Sequence, residues 1–212
     1  MTHSPLSAHK ASALLCCMLL TLFLAGCSTG LSKPAPEIRH YVLRPELPQP
    51  AATARPGVLK VRRAVVSPGF AGRELIFRTG ETTYSIDYYD QFLVAPADML
   101  TQALRDAMGA AALFASVSPE ASVLRPDYVL ETTAVTMHGD FREGRDPAAV
   151  LEMQFFLLKD SDTDYDIVLT RTYAERMPFG ARTAQAYAKA MERAVSSILA
   201  RLAADIATLP QP

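Results

Sequence analysis

The stretch TAQAYAKAMERAVSSILARLAADIAT, residues 183–208, decides the fold class of this 212-residue chain. Its apolar side chains recur every three or four residues, a spacing that places them on one face of an α-helix. Thr183 precedes the stripe and is a suitable N-cap. At 1.5 Å per residue the helix is about 37 Å long, so its apolar face needs a sheet or a partner to cover it. The stripe consists of Tyr187, Met191, Ala194, Val195, Ile198, Leu202 and Ile206.

A second helix is predicted to begin at Pro96, a position where the missing N–H of proline costs nothing. It carries its own apolar stripe at helical spacing, formed by Met99, Leu100, Ala103, Leu104, Ala107, Met108 and Ala111. Strand patterns lie on both sides of it. Those before the helix cover residues 38–44, 58–66, 74–79 and 82–89, and those after it cover residues 127–137, 150–159 and 166–175.

This order of elements predicts an α+β fold with one domain, residues 38–209, following a signal peptide. The last three strands are joined by short polar loops, so we expect antiparallel neighbours. The sequence therefore predicts a largely antiparallel sheet with two long helices packed on one face.

The tetrad Leu24-Ala25-Gly26-Cys27 closes an apolar run and matches a bacterial lipobox. The run of about 14 residues is too short to span a bilayer but fits a signal peptide. It predicts that residues 1–26 are removed and that Cys27 carries diacylglycerol and palmitate groups. Ser28 stands where aspartate would retain a lipoprotein in the inner membrane, which favours the outer membrane, facing the periplasm. The alternatives are a plain signal peptide with an incidental cysteine, or a buried helix.

Residues 27–37 are predicted to form the lipidated cysteine and a flexible tether. Pro34 and Pro36 resist helix formation there, and ten flexible residues have a root-mean-square span of roughly 17 Å. Cys16 and Cys17 would leave with the signal peptide, so the mature chain has no thiol for a disulfide. Its stability must then rest on an ordinary core.

Composition and motifs argue against two functional classes. The chain has 21 basic and 22 acidic residues, so the basic excess of a nucleic-acid-binding protein is missing. The mature chain has two histidines, His40 and His138, too few for a histidine-based zinc site. Catalytic signatures such as HExxH, GxSxG and the P-loop do not occur. We therefore expect no enzyme, cofactor or metal, although a catalytic or metal-dependent domain is kept as a third hypothesis.

Alternating aspartates at positions 160, 162, 164 and 166 resemble part of a calcium-binding loop. Tyr165 stands where such a loop needs glycine, and Arg171 stands where it needs glutamate. A solvated connection between two strands is therefore favoured for Asp160 to Asp166, with an ion site as the alternative.

Two further clusters each allow two interpretations. The basic cluster comprises Arg62, Arg63, Arg73 and Arg78. It would form the polar face of half-buried strands, or it would face lipid headgroups or an acidic partner. The aromatic cluster comprises Tyr84, Tyr88, Tyr89 and Phe92. Core packing is its default interpretation, and a partner surface is the alternative because exposed tyrosines suit interfaces.

Short motifs follow one another in an order typical of one family. They are Tyr41-Val42-Leu43, Val66-Ser67-Pro68-Gly69, Ile76-Phe77-Arg78, Tyr89-Asp90-Gln91-Phe92, Ala95-Pro96, Leu113-Phe114-Ala115 and Asp127-Tyr128-Val129-Leu130. With them the mature domain resembles the ABC-type transport auxiliary lipoproteins, which accompany MCE-type lipid transporters such as the paraquat-inducible system. Two features depart from the family pattern: no tryptophan lies near Phe92, and aspartates replace glycine at 160–166.

The resemblance implies a non-enzymatic docking role. The protein would be the outer-membrane component of an intermembrane lipid transport system and would bind the periplasmic MCE protein. The alternative is a lipid carrier or outer-membrane assembly lipoprotein that encloses an acyl chain itself. A homo-oligomer is left open.

Overall fold

The computed structural model describes residues 36–161 and 164–210. The predicted signal peptide, Cys27 and nearly all of the tether lie outside the described residues, as does Asp162. The described residues from Glu37 onwards form one compact unit.

Nine strands and two long helices make up the described chain. The strands before the first helix are β1 (Arg39–Tyr41), β2 (Arg55–Val61), β3 (Val65–Val66), β4 (Glu74–Arg78) and β5 (Tyr84–Phe92). Helix α1 (Pro96–Ala111) is followed by β6 (Phe114–Ser118), β7 (Tyr128–Asp140), β8 (Ala148–Asp160), β9 (Tyr165–Pro178) and helix α2 (Ala184–Ala207). A short 3-10 turn covers Pro68–Phe70.

Strand β7 is the central strand of the sheet and pairs with four other strands. On one side it pairs antiparallel with β8, which pairs antiparallel with β9. On the other side β2, β3 and β4 meet successive parts of β7, and all three run parallel to it. Beyond β2 lies β6, and beyond β4 lie β5 and then β1. The strand β1 and the strand β9 are therefore at opposite edges of the sheet.

Both helices cover the same face of this sheet. Helix α2 packs on β8 and β9, while α1 packs on β6, β2 and β3 and touches α2. Both predicted apolar stripes are buried in full, and Thr183 caps α2 by accepting a hydrogen bond from the Ala186 N–H at 3.2 Å. Pro96 is the first residue of α1. The α+β class and the two helices on one face are confirmed.

The expectation of a largely antiparallel sheet is only partly correct. Pairs β7–β8, β8–β9 and β4–β5 are antiparallel, but β1–β5, β2–β6 and the three strands beside β7 are parallel. The predicted strand 58–66 is in fact two strands. Between them the Ala64 N–H leaves the ladder and donates to Thr101 Oγ1 on α1 at 2.8 Å. Strand β6 was not predicted, because five residues after a helix carry little periodic signal.

A close approach at Gly139 joins the sheet to α2. A Cβ at this position would lie 2.6 Å from Phe77 Cδ1 and 3.2 Å from Tyr187 Cδ2. The rings of Phe77 and Tyr187 meet edge to face, with centroids 5.3 Å apart. Only glycine lets both rings pack against the backbone of β7 here.

Candidate functional site

Strand β5 carries all four residues of the predicted aromatic cluster, but they differ in solvent exposure. The exposed fractions of Tyr84, Tyr88 and Tyr89 are 43%, 67% and 51%, whereas Phe92 is 2% exposed and belongs to the core. The default interpretation, core packing, is therefore wrong for the three tyrosines and right for Phe92. That the tyrosines bind a partner stays a prediction.

An irregularity in β5 explains why two consecutive tyrosines are exposed. The ladder with β4 shifts register here, so that Leu75 pairs with Asp87 while Glu74 pairs with Gln91. The Asp87 carboxylate accepts hydrogen bonds from the N–H groups of Tyr89 and Asp90, at 3.0 and 3.1 Å. Bulges of this kind redirect side chains out of the regular alternation. The residues between the two paired positions are thus released from the ladder with β4.

Strand β1 fixes the same region from the edge. The buried carboxylate of Asp90 accepts from Arg39 Nη2 at 2.6 Å and from the Tyr41 hydroxyl at 2.8 Å. Burial and the hydrogen bond to Asp90 raise the pKa of Tyr41, so this hydroxyl stays protonated and continues to donate. These contacts therefore hold the end of β5 that carries Tyr88 and Tyr89 against β1.

Tyr84, at the other end of β5, packs over a buried histidine. Its ring lies 5.5 Å from that of His138 and 6.1 Å from that of Phe70, and Phe70 stacks on His138 at 5.6 Å. Burial lowers the pKa of His138 to about 4, so the imidazole is neutral at physiological pH. Its Nδ1 atom is buried without a hydrogen-bond partner. His138 therefore contributes packing rather than charge to this surface.

A charged network fastens the hairpin between β4 and β5 to the rest of the sheet. The Asp140 carboxylate, only 1% exposed, accepts from Arg142 Nε and Nη2 at 2.9 and 2.8 Å and from Arg176 Nη1 at 2.7 Å. Arg142 also reaches Glu81 Oε1 in that hairpin at 2.9 Å. The two guanidinium groups hold the pKa of Asp140 well below its usual range. Sequence analysis did not single out this network, because its members are separated by up to 95 positions.

The predicted basic cluster does not form one patch. Its four members bind different partners: Arg62 pairs with Glu131, Arg63 with Asp98, Arg73 with the Phe92 carbonyl and Arg78 with the Gly80 carbonyl. Each guanidinium thus has a contact within its own domain, which fits the polar face of half-buried strands.

Asp160 ends β8 and Tyr165 begins β9, and the two strands pair antiparallel, as the hairpin interpretation predicts. Asp160 forms an ion pair with Arg125 at 2.8 Å. It also pairs with Tyr165 at the end of the antiparallel ladder between β8 and β9. The Asp164 carbonyl accepts from the Ser161 N–H at 2.8 Å. Within the described part of the chain, the side chains of histidine, cysteine, aspartate and glutamate form no group of three placed to hold a metal ion.

A groove beside β1 was missed by the sequence analysis. The chain that follows β1 and the helix α1 line a groove of about 340 Å³, whose lining includes Val42, Leu47, Val94, Met99 and Ala103. The one local signal was the apolar pair Leu93-Val94, which precedes a helix start where polar residues are usual. None of the helices within residues 36–161 and 164–210 is long and apolar enough to cross a membrane.

Comparison with known proteins gives one family and a set of similar folds. The model of the family described as ABC-type transport auxiliary lipoprotein component matches residues 41–207. No curated protein matches the sequence.

Solved structures resemble the fold at low identity. A Xanthomonas campestris protein of the DUF330 family has a TM-score of 0.67 at 21% identity, covering 77% of this chain and 92% of its own. The crystal structure of an uncharacterized protein has a TM-score of 0.61 at 16% identity, with 80% and 99% covered. A hypothetical protein from Chlamydia trachomatis reaches 0.50 at 6% identity, with 71% and 97% covered.

Proposed function

Because this chain belongs to the family of ABC-type transport auxiliary lipoprotein components, we propose that it is the docking component of an intermembrane lipid transport system. Membership makes it a transport auxiliary lipoprotein, which agrees with a membrane-anchored, periplasmic location. Within the proposal, acylated Cys27 anchors the domain to the periplasmic side of the outer membrane. The domain then binds an MCE-family protein that bridges the periplasm, and it catalyses no reaction.

The observation that carries the proposal is the row of exposed tyrosines on β5. Tyrosine is enriched at protein interfaces because its large ring contributes contact area and its hydroxyl contributes a hydrogen bond. A rigid support loses less conformational entropy on binding than a mobile one. Here the support consists of the Asp90 contacts at one end of β5 and the Phe70–His138 stack at the other.

The packing between sheet and helices favours docking over lipid carriage. A carrier would need an apolar cavity between these layers. Among the described residues, the side chains that face this layer include Tyr187, Met191, Phe155 and Leu157, each less than 2% exposed. Interiors packed in this way have few voids larger than a water molecule. Among the described residues, the packing between sheet and helices therefore gives no support to a carrier that encloses an acyl chain in that layer.

Photocrosslinking in cells tests the docking role. A photoreactive amino acid replaces Tyr88 in one strain and Tyr165 in a control strain. Tyr165 is a matched control because it is 41% exposed and lies on β9, at the opposite edge of the sheet. We expect the probe at position 88 to capture an MCE-family protein and the probe at position 165 to capture much less of it.

The affinity for that protein provides a second measurement. Loss of a central interface tyrosine costs about 2 kcal/mol, so we expect Tyr88→Ala to weaken binding roughly 30-fold, while Tyr165→Ala leaves it unchanged. Equal capture at both positions, or equal affinities, would contradict the assignment of the docking surface. Recovery of cytoplasmic proteins alone would contradict the docking role itself.

A further inference from the structure

A second apolar surface lies where the described chain emerges from the predicted tether. We define the anchor-proximal patch as Ile38, Val42, Leu47, Leu93 and Val94, whose exposed fractions lie between 45% and 51%. Single exposed apolar residues are normal on a protein surface. Here three of the five, Val42, Leu47 and Val94, line one groove beside α1. Leu93 directly precedes Val94 in the chain, and Ile38 lies four positions before Val42. A grouped apolar surface of this kind marks an interaction site.

The patch is preformed because hydrogen bonds fix both of its segments. The Leu93 N–H donates to the Tyr41 carbonyl at 2.9 Å and so joins the end of β5 to the end of β1. Past β1, the Arg44 N–H donates to Glu192 Oε2 at 2.7 Å and the Glu46 N–H donates to Ser196 Oγ at 2.9 Å. These two bonds attach the segment after β1 to α2, whose apolar face is buried in the core.

Charge in and around the groove is compatible with a lipid headgroup region. Asp98 in the groove wall is paired with Arg63 at 2.7 Å, and Asp106 accepts from Gln102 Nε2 at 2.7 Å. Arg39 precedes the patch, and its side chain is 63% exposed even though it contacts Asp90. Arg44 is among the residues that line the groove. Arginines in such positions keep their apolar stems on hydrocarbon and their charged heads in water.

The length of the predicted tether limits which surface the patch can meet. Ten residues separate Cys27 from Ile38. Even fully extended they span no more than about 35 Å, and as a random coil roughly half of that. The patch therefore stays next to the bilayer that holds the acyl chains, at a high effective concentration.

We propose that the anchor-proximal patch lies on the outer-membrane bilayer itself, with Val42, Leu47, Leu93 and Val94 in its interfacial region. The inference rests on the proposed lipid anchor at Cys27. It gives the domain a fixed orientation, since the segment after β1 and the Leu93-Val94 pair after β5 face the lipid while the rest of the sheet, with the tyrosines of β5, extends into the periplasm. Anchoring and orientation are thus separate functions of neighbouring parts of the chain.

Quenching of single labelled cysteines in vesicles tests this orientation. Val94→Cys and Leu93→Cys place a fluorophore in the patch, and Ile167→Cys places one on β9 at the opposite edge, where the exposed fraction is 62%. The mature lipoproteins are reconstituted in vesicles of phosphatidylethanolamine and phosphatidylglycerol that contain a nitroxide-labelled lipid. Iodide serves as the aqueous quencher, and unlabelled wild type treated with the same reagent reports any native thiol.

We expect the labels at positions 93 and 94 to lose fluorescence to the nitroxide lipid and to be shielded from iodide, with the reverse at position 167. Iodide quenching at all three positions would overturn the inference while leaving the anchor intact. Shielding of positions 93 and 94 from both quenchers would overturn it in favour of contact with a second copy of the chain. A wild-type chain that takes up label or fails to float with vesicles would refute the anchor, and the inference with it.

Discussion

Replacing Asp140 by asparagine removes the charge at the centre of the network that fastens the β4–β5 hairpin. The carboxylate accepts three charge-assisted hydrogen bonds of 2.7 to 2.9 Å. Breaking a buried pair by removing one partner costs roughly 3–5 kcal/mol. Two features place this case near the lower limit: Arg142 keeps Glu81 as a partner, and the Arg176 side chain is 46% exposed and can be solvated. We therefore expect Asp140→Asn to lower the free energy of unfolding by about 3 kcal/mol.

Urea denaturation at pH 7 measures this difference in the free energy of unfolding. Repeating the measurement at pH 3 gives a second test. The folded pKa of Asp140 is depressed, so its contribution is complete above the unfolded pKa of about 3.9 and is lost as the pH falls towards the folded pKa. At pH 3 the difference between wild type and variant should therefore be smaller by about 1 kcal/mol.

Glu81→Gln is the matched control, because Glu81 belongs to the same network but its side chain is 76% exposed. Exposed ion pairs contribute little, so we expect a change below about 1 kcal/mol. The reasoning fails if Asp140→Asn costs less than about 1 kcal/mol with an unchanged denaturant slope, or if the two variants cost the same.

Three other predictions use different parts of the molecule. Gly139→Ala places a Cβ 2.6 Å from Phe77 Cδ1 and should lower stability by about 1–3 kcal/mol in thermal unfolding, whereas Gly109→Ala, with no atom within 4 Å, should leave it unchanged or higher. Because the folded pKa of His138 is about 4, below the unfolded value of 6.5, the unfolded state binds the proton first as the pH falls. Wild-type stability should then decline between pH 6.5 and 4, by up to about 3 kcal/mol, and His138→Phe should remove that decline in urea titrations. Cys27→Ala should yield a folded domain that no longer sediments with membranes in cell fractionation, and a variant that still sediments would contradict the lipid anchor.

Elements governed by near neighbours in the sequence were predictable. The stripes of α1 and α2 are buried as their spacing predicts, because the helix period acts between residues three and four apart. The cap at Thr183 and the start at Pro96 likewise depend on a few adjacent residues. The connection of β8 to β9 followed from two strands joined by a short polar segment.

Features that depend on distant residues were not predictable. Strands β2 and β7 pair through Leu59 and Tyr128, which are 69 positions apart, and nothing in either segment distinguishes a parallel neighbour from an antiparallel one. The exposure of Tyr88 depends on a register shift against β4. The groove exists only because the segment after β1 binds α2, almost 150 positions later.

By itself the sequence determined the α+β class, both helices with their buried faces, the hairpin of β8 and β9, and the resemblance to a transport auxiliary lipoprotein family. It also carries the prediction of a lipid anchor at Cys27. Only the tertiary structure decided the mixed pairing around β7, the exposure of Tyr84, Tyr88 and Tyr89, the Asp140 network and the apolar groove. The physical reason is range: periodicity and capping act within a few residues, whereas register, burial and ion pairing depend on which distant segments meet.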